Sequence, residues 1–433
     1  MTYFVVKPSL LRGTISIPPS KSQTLRAILF ASFATGKSTI HNYLHSPDTF
    51  AMIEACRYLG AQINIFTDQL EVTGINGKIS QIENVIDAGN SGIILRFFTA
   101  LGALTSLPMV ITGDYSVRHH RPMKALMDAL SNVGVHIVSM RNDDFAPIIV
   151  KGPLKSGKIS VDGQDSQPVS ALLIASAFAN IPVELVVKNP GELPWVAMTL
   201  EWFDRLGIFY NHQDYQLYKL DGGSHYSGFE YVVPADLSSA AFPIAAALVT
   251  QSCVTIENIE IDHSQGDKEL ISVFKEMGAE IEYDGRRKLI KIDGRKKLKG
   301  ISVDINRFID SLTILAVVGC FSEGEMRIKN AEIARKKECN RIECIASELK
   351  KMGAKIEVTP DGLIVHESSL KGTQVESYGD HRMVLSLSVA ALGAQGFTTI
   401  RCTDCIKKTF PDFAKDFKKI GADIEEIKDE ING

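Results

Sequence analysis

The chain has 433 residues, of which 45% are hydrophobic and 23% charged, a globular composition that excludes extensive disorder. This length favours roughly two or three domains. The formal net charge of -4 excludes an overall basic field of the kind that binds nucleic acid, so an anionic ligand must be held by local clusters of Lys and Arg.

The start of the chain, residues 1–13, has no basic segment followed by a long apolar run, so no secretory signal is predicted. No segment approaches the roughly 20 apolar residues of a membrane-spanning helix. The seven cysteines are scattered, and Cys402 and Cys405 form a CxxC without the second pair that a zinc site requires. We therefore expect a cytoplasmic protein with reduced thiols and neither a bound metal nor a membrane partner.

One pattern of elements recurs along the whole chain. An amphipathic helix ends in a hydrophobic residue and Gly, a short alternating strand follows, and a turn leads into another strand. The Gly is typical of a helix end that needs a left-handed backbone. Intervals of about 70 residues are too long for a typical solenoid, so the pattern predicts two domains of three α/β units each, with coincidence as the alternative. The helix-end glycines are Gly60, Gly134, Gly207, Gly278, Gly353 and Gly421.

The first candidate site is the segment 19–26, Pro-Ser-Lys-Ser-Gln-Thr-Leu-Arg, which follows a short strand and opens a helix. Either Ser20 or Ser22 is placed to cap this helix. A helix N-terminus that carries Lys21 and Arg26 is suited to bind an anion, and a capped surface helix with solvated charges is the alternative.

The second candidate site is the segment 87–92, Asp-Ala-Gly-Asn-Ser-Gly, which leads into a helix carrying Arg96. Its glycines allow backbone N–H groups to approach a ligand closely. A simple turn explains this segment equally well when it is taken alone.

Three later segments concentrate charge: residues 335–341, 378–383 and 407–411. In the second of them the titratable His381 lies beside an Asp and an Arg. Each charged run alone is typical of a solvated surface. Together with basic residues earlier in the chain, they predict one polyanion site between the domains; those earlier residues are Lys21, Arg26 and Arg121.

These motifs resemble, in order and over nearly the full chain, the signatures of the 5-enolpyruvylshikimate-3-phosphate synthase family. The related enolpyruvyl transferase of cell-wall synthesis lacks the Lys-Ser start and fits less well. The matching positions are residues 20–22 with Arg26, 89–92 with Arg96, 121–122, 166–167, 236–240, Asp310, 337–338 with Arg341, 380–382 and 408–411.

The resemblance implies a two-domain inside-out α/β barrel in which each domain is built from three βαβαββ repeats and the active site lies in the interdomain cleft. Residues 1–19 and 235–433 are expected to form the domain that contains both termini. Residues 20–234 are expected to form the inserted domain. Hinges are expected near residues 14–20 and 234–237.

The resemblance also implies a reaction. The enolpyruvyl group of phosphoenolpyruvate moves to the 5-hydroxyl of shikimate 3-phosphate, and phosphate is released, as a step of aromatic amino acid biosynthesis. The expected partners are these two small molecules, with no cofactor, no nucleic acid and no other subunit. Because the methylene carbon must be protonated while a hydroxyl attacks its neighbour, the site needs an acid, a base and fixed cations.

Residue roles follow from the resemblance position by position. Asp310 is the candidate base, and the other catalytic candidates are Lys21, Glu338 and His381. Phosphoenolpyruvate is expected at Lys21, Gly92, Arg121, Gln167, Arg341, Arg382 and Lys408. In that set Arg121 and Lys408 hold its phosphate, and Arg341 and Arg382 hold its carboxylate through planar forks. The acceptor is expected at Lys21, Ser22, Arg26, Asp165, Ser166, Gln167, Glu192, Trp195, Asp310 and Lys337.

The acceptor half departs from the family pattern. Asp165 and Glu192 stand where the family usually has phosphate-binding serines, Trp195 replaces Tyr, and Ile333 replaces Asn. Two carboxylates repel a phosphate unless they turn away or are protonated. Three hypotheses therefore stay open: shikimate 3-phosphate bound atypically, a paralogue acting on an unphosphorylated or altered shikimate-like acceptor, and an inactive small-molecule-binding homologue. The intact catalytic set argues against the third: Lys21, Asp310, Glu338 and Arg382.

The herbicide glyphosate occupies the phosphoenolpyruvate site in the family. Gly92 keeps the small-residue floor of that pocket, but Ile93 replaces the usual Thr and Phe97 the usual Pro. The sequence therefore predicts weaker inhibition than in a typical sensitive member.

Overall fold

A computed structural model describes residues 2–261 and 264–428 of the chain. The chain divides into two compact units: one runs to Pro18 and resumes at Ala235, and the other is Pro19–Pro234. Each unit has its own large hydrophobic core. In the described ranges, every helix is too short or too polar to cross a bilayer.

Short strands alternate with helices throughout the described ranges. The strands are β1 Thr2–Lys7, β2 Arg12–Ser16, β3 Lys37–His41, β4 Gln62–Ile65, β5 Gln69–Thr73, β6 Ile86–Asp87, β7 Met109–Thr112, β8 His136–Ser139, β9 Ile148–Lys151, β10 Lys158–Asp162, β11 Val183–Lys188, β12 Asn211–Gln213, β13 Leu217–Leu220, β14 Glu230–Val232, β15 Cys253–Glu257, β16 Glu280–Asp284, β17 Leu289–Asp293, β18 Ser302–Asp304, β19 Glu325–Lys329, β20 Lys355–Thr359, β21 Gly362–His366, β22 Gln374–Glu376, β23 Thr398–Arg401 and β24 Asp423–Lys428. The α-helices are α1 Lys21–Phe33, α2 Pro47–Tyr58, α3 Gly92–Leu101, α4 Tyr115–His119, α5 Lys124–Ser131, α6 Ser166–Phe178, α7 Leu193–Leu206, α8 Leu237–Val249, α9 Glu269–Glu276, α10 Leu312–Cys320, α11 Arg341–Lys351, α12 His381–Gly393 and α13 Phe413–Lys419.

The described strands form four-stranded sheets that repeat one topology, a parallel pair extended by antiparallel strands. In the Pro19–Pro234 unit the orders are β14-β3-β5-β4, β6-β7-β9-β8 and β10-β11-β13-β12. In the other unit they are β2-β15-β17-β16, β18-β19-β21-β20 and β22-β23-β1-β24. The predicted α/β class is thereby confirmed, because each sheet belongs to a repeat that mixes strands and helices.

Half of these sheets are completed by a strand from a distant part of the chain. β2 pairs in parallel with β15, so Ile15 lies opposite Ile256. β14 pairs with β3, and β1 lies between β23 and β24. The sequence pattern predicted the repeats, but it did not predict that three sheets each take one strand from a distant part of the chain.

The six predicted helix-end glycines all have positive φ, from 66° at Gly207 to 107° at Gly60. This backbone region is open to Gly at little cost and rare for other residues. The strand that follows Gly353 is β20, and the turn after it leads into β21, as the pattern predicted. The helix-end assignment is confirmed, and the hinge stays a prediction.

The helices that carry the site residues are buried on nearly all sides. Nearly every residue of α3, α6, α8, α10 and α12 is buried, and α8, α10 and α12 pack on one another. A helix that is apolar all round belongs to the interior of its unit. Polar side chains at the N-termini of such helices are therefore held in desolvated, well-packed surroundings.

Candidate functional site

Many of the predicted site residues lie at or near helix N-termini in both units. A helix N-terminus carries partial positive charge and unpaired N–H groups, so it favours an anion. At each of these starts a side chain accepts a hydrogen bond from the first turn and fixes where the helix begins. The capping residues are Ser20 for α1, Ser91 for α3, Asp165 for α6, Asn340 for α11 and Asp380 for α12.

Lys21 is the first residue of α1. The capping side chain is Ser20, whose Oγ lies 3.4 Å from the Gln23 nitrogen, which decides between the two predicted caps. The Lys21 ammonium lies 3.9 Å from the buried carboxylate of Asp48. This contact holds a cation at a helix start that already favours anions.

Arg26, one turn further along α1, is buried and held mainly by neutral oxygens. Its Nε donates to Thr199 Oγ1 at 3.1 Å, and its two terminal nitrogens donate to the carbonyls of Ser22 and Trp195, each at 3.3 Å. The guanidinium lies over the Phe97 ring, 5.4 Å from the ring centre. Burial lowers the pKa of Arg26 to about 10. Ser22 and Trp195, both predicted to bind the acceptor, thus contribute backbone carbonyls that fix this cation.

Gly92 brings three other side chains together. A Cβ added at Gly92 would lie 2.8 Å from Arg96 Nη1, 2.9 Å from Gln167 Oε1 and 3.6 Å from Arg121 Nη1. Arg96 also donates to the carbonyls of Gly92 and Pro122, each at 3.3 Å. The predicted phosphoenolpyruvate residues Gly92, Arg121 and Gln167 therefore lie next to one another in the Pro19–Pro234 unit.

The two unexpected carboxylates each have a partner. Asp165 accepts the Gln167 N–H at 3.0 Å, and its other oxygen lies 3.4 Å from Arg96 Nη2. Glu192 is 1% exposed, and its Oε2 accepts both the N–H of Ser166 at 2.9 Å and its hydroxyl at 3.0 Å. Glu192 also adopts a left-handed backbone, with φ 48°, which is uncommon for this residue type. The two carboxylates thus bind Ser166 and Gln167, which were both predicted to bind the acceptor.

Arg341 is the centre of the cluster in the other unit, and it is 1% exposed. Its nitrogens lie 2.7 Å from carboxylate oxygens of Asp310, Glu338 and Asp380. Arg382 donates to the second oxygen of Asp310 at 3.0 Å. Asp310 is therefore held between the two guanidiniums that were predicted to bind the phosphoenolpyruvate carboxylate.

Burial alone would raise the pKa of Asp310, but the charges of Arg382 and Arg341 outweigh it and hold the pKa well below the usual range, with a further contribution from Lys337. Burial alone would lower the pKa of Arg341, but Asp380 and the other carboxylates hold it well above its usual range. Asp310 is an anion in this arrangement, as a base must be before it accepts a proton.

The remaining predicted residues of this unit surround the same network. Lys408 donates to Glu338 Oε1 at 2.9 Å. Lys337 is buried and directly precedes Glu338. His381 is buried in the first turn of α12, and its Nδ1 lies 3.6 Å from Asp380 Oδ1. The cluster thus joins a predicted base, a predicted proton-transfer carboxylate and three predicted cations through short contacts.

The site also uses residues to which the sequence assigned no role. Asp380 and Arg96 belonged to the motifs, but their ion pairs were not predicted. Asp48 follows a Ser-Pro helix start and Thr199 lies within α7, and neither position carried a signal of its role. Ile333, which was noted near the acceptor, is part of the apolar core. Hydrogen bonds to partners far along the chain define these residues, and a local pattern does not show such bonds.

Comparisons with known proteins show which family the chain is similar to. Residues 5–417 match the family model described as EPSP synthase (3-phosphoshikimate 1-carboxyvinyltransferase). A 3-phosphoshikimate 1-carboxyvinyltransferase of Acetivibrio thermocellus is 41% identical over 97% of this chain and 98% of that protein. One of Chlamydia abortus is 43% identical over 100% and 96%. The solved structure of an EPSP synthase from Acinetobacter baumannii superposes with a TM-score of 0.82 at 26% identity, covering 99% of this chain and all of that one.

The proteins that match over nearly the whole chain are transferases, named 3-phosphoshikimate 1-carboxyvinyltransferase or EPSP synthase. The chain belongs to the EPSP synthase family, which confirms the predicted resemblance.

Proposed function

We propose that this protein transfers the enolpyruvyl group of phosphoenolpyruvate to the 5-hydroxyl of shikimate 3-phosphate and releases phosphate. Family membership supports this reaction. The observation that carries it is Asp310, whose carboxylate lies 2.7 Å from Arg341 and 3.0 Å from Arg382. A carboxylate between two fixed guanidiniums supports the binding of a substrate carboxylate at this cluster, with a base beside it.

The residues of both clusters have distinct tasks in the proposed reaction. Asp310 takes the proton of the acceptor hydroxyl while the hydroxyl oxygen bonds to C2 of phosphoenolpyruvate. Lys21 or Glu338 delivers a proton to C3, and a tetrahedral intermediate forms. Lys21 or Glu338 then takes a proton back from C3, which restores the double bond as the C2–O bond to phosphate breaks. Asp310 passes the hydroxyl proton to the released phosphate or to solvent, so both groups regain their starting protonation.

The cations stabilise the charge that this sequence develops. Arg121 and Lys408 hold the departing phosphate, and Arg341 and Arg382 hold the carboxylate. When the substrate carboxylate shares the two guanidiniums, they stabilise the Asp310 anion less. Its pKa then rises from the low value of the free protein, which makes it a stronger base at the moment when the substrate is present.

An altered, unphosphorylated acceptor is the second candidate. One observation favours it: Glu192 already accepts both hydrogen bonds of Ser166, so an acceptor phosphate must displace a buried carboxylate to reach that residue. A neutral hydroxyl instead finds carboxylate acceptors there.

The same family relation supports a cytoplasmic, monomeric enzyme that needs no metal or organic cofactor. It also supports hinges near residues 14–20 and 234–237.

Phosphate release decides between the two acceptors. The purified protein is incubated with phosphoenolpyruvate and either shikimate 3-phosphate or shikimate, and the organic product is identified by mass spectrometry. We expect release with shikimate 3-phosphate. Release with shikimate alone would establish the second candidate, and absence of release with both would refute the transferase function.

A further inference from the structure

A second buried carboxylate lies beside the candidate base, outside the predicted site. Asp267 belongs to a 3₁₀ helix, Gly266–Lys268, and is 2% exposed. One of its oxygens accepts the hydroxyl of Ser238, and the other accepts the hydroxyl of Ser311 at 3.0 Å. Ser238 lies in the first turn of α8, and Ser311 directly follows Asp310. Asp267 therefore connects the start of α8 to the segment that carries the base.

The neighbouring Gln265 strengthens the connection to α8. Its Oε1 accepts the N–H of Leu237 at 2.9 Å, and its Nε2 donates to the carbonyl of Ala235 at 3.0 Å. Gln265 is buried, and both atoms of its amide group are used. The segment 265–267 thus fixes the backbone where the chain re-enters this unit and joins it to Ser311.

The charged surroundings of Asp267 are those of the candidate site. The pKa of Asp267 is raised to about 6, first by burial and then by the charge of Asp310, while the charge of Arg382 opposes both. Asp236, which caps α8, adds a smaller repulsion. A neutral amide would satisfy two serine hydroxyls with less desolvation, so an ionisable group here is unfavourable for stability alone. Buried carboxyl groups whose pKa is shifted by burial and by neighbouring charges are more frequent at functional sites.

We propose that Asp267 is a positioning residue for the enolpyruvyl transfer: through Ser311 it holds the Asp310 segment against α8 and so fixes where the base stands relative to Arg382. This role rests on the proposed function. Asp267 acts through Ser311 and need not touch a substrate. Because misplacement of a catalytic group by about 1 Å lowers a rate by up to about 10²-fold, its loss is expected in turnover rather than in substrate binding.

The test compares Asp267→Ala with Asp267→Asn. The alanine variant removes both hydrogen bonds, and we expect kcat to fall about 10- to 100-fold while KM for phosphoenolpyruvate changes less than about threefold. The asparagine variant keeps a planar group that accepts from one hydroxyl and donates to the other, so we expect it to recover most of kcat. A kcat of Asp267→Ala within about twofold of wild type would overturn the proposal.

A matched control separates positioning from general loss of a buried carboxylate. Glu348 is also fully buried in this unit, where it accepts from Lys351 at 2.7 Å and Tyr378 at 2.6 Å. We expect Glu348→Gln to leave kcat unchanged at a temperature where thermal unfolding shows that it is folded. An equal fall of kcat in Glu348→Gln and Asp267→Ala would refute a specific role.

Two further measurements keep the outcome decisive. If Asp267→Ala does not fold, Ser311→Ala is used instead, because it removes only the hydrogen bond that joins Asp267 to the Asp310 segment. A reduced kcat of this variant supports the proposal, and an unchanged kcat overturns it. Wild-type phosphate release with shikimate 3-phosphate is measured first. Its absence refutes the proposed function, whereas wild-type turnover with a fully active Asp267 variant refutes only the positioning role.

Discussion

Two buried arginines, one in each unit, are held in different ways. In the Pro19–Pro234 unit, Arg26 donates to a hydroxyl and two carbonyls, which leave its charge uncompensated. In the other unit, Arg341 contacts three carboxylates within 2.7 Å. Within the described ranges, the positive charge of Arg26 is not neutralised by a carboxylate, so it attracts an anion directly. Arg341 is already paired with carboxylates of the protein, so an incoming anion binds there by displacing one of them.

The strongest test of the carboxylate-held cluster is Asp310→Asn. The amide removes the proposed base and one anionic partner of both arginines, and we expect kcat to fall by about 10²–10⁴-fold with the fold intact. Steady-state turnover and circular dichroism measure the two effects. Turnover within a few-fold of wild type would remove Asp310 from the role of base and leave it as a partner for the arginines.

Arg382→Lys tests whether the exchange requires a planar fork. Lysine keeps the charge but presents no paired donors, so we expect KM for phosphoenolpyruvate to rise by about tenfold or more, the effect of losing one charge-assisted hydrogen bond. The matched control is Arg327→Lys, an exposed arginine of β19 that pairs with Glu325. An unchanged KM in Arg382→Lys would contradict the assignment of this residue to the substrate carboxylate.

Asp165 and Glu192 allow a test in the Pro19–Pro234 unit of whether internal carboxylates oppose the binding of an anion. Replacing Asp165 and Glu192 together with Ser frees the donors of Ser166 and the charge of Arg96. We expect shikimate 3-phosphate to bind tighter by about five- to tenfold, because two like charges are removed from a partly desolvated site. Calorimetric titration measures the affinity.

The control for this double variant is Asp162→Ser with Glu184→Ser, which removes two carboxylates from neighbouring strands of the same unit. The contrary result is that the wild type already binds shikimate 3-phosphate tightly, with no gain in the double variant of Asp165 and Glu192. That result would show that these carboxylates do not oppose the phosphate.

The smallest expected effect concerns glyphosate. Ile93 follows Gly92 in α3 and is 9% exposed, where the family usually has Thr. We expect weak inhibition of the wild type, and inhibition stronger by a factor on the order of three in Ile93→Thr, because one branch of the side chain is exchanged for a hydroxyl. Strong inhibition of the wild type at low micromolar glyphosate would contradict this expectation.

Local features of the fold were predictable because single residues specify them. Each helix-end Gly provides a backbone conformation that other residues avoid, so the glycines from Gly60 to Gly421 mark six repeats in the amino-acid sequence alone. The motifs placed Asp310, Arg341 and Arg382 in the candidate site for a similar reason, since their charges are needed by the chemistry that the resemblance implies.

Features that depend on distant partners were not predictable. The pairing of β2 with β15 joins Ile15 to Ile256, and no local pattern records it. Asp267 lies in a Gly-Asp-Lys-Glu run that is typical of an exposed turn, yet it is buried by Ser238 and Ser311. The sequence left open whether Glu192 faces a phosphate or turns away, and the structure shows that it binds Ser166. In each case tertiary contacts, rather than periodicity, decide the environment of the side chain.

The placement of β1 between β23 and β24 has a consequence for synthesis on the ribosome. Phe4 lies opposite Ile400 and Glu426, so the first strand finds its neighbours only when nearly the whole chain has been made. At about 5–20 residues per second, the delay is roughly 20–80 s. The Pro19–Pro234 unit emerges complete long before that. A nascent chain must therefore keep β1 unpaired while its middle folds, and this interval is when association with other nascent chains competes most strongly with correct pairing.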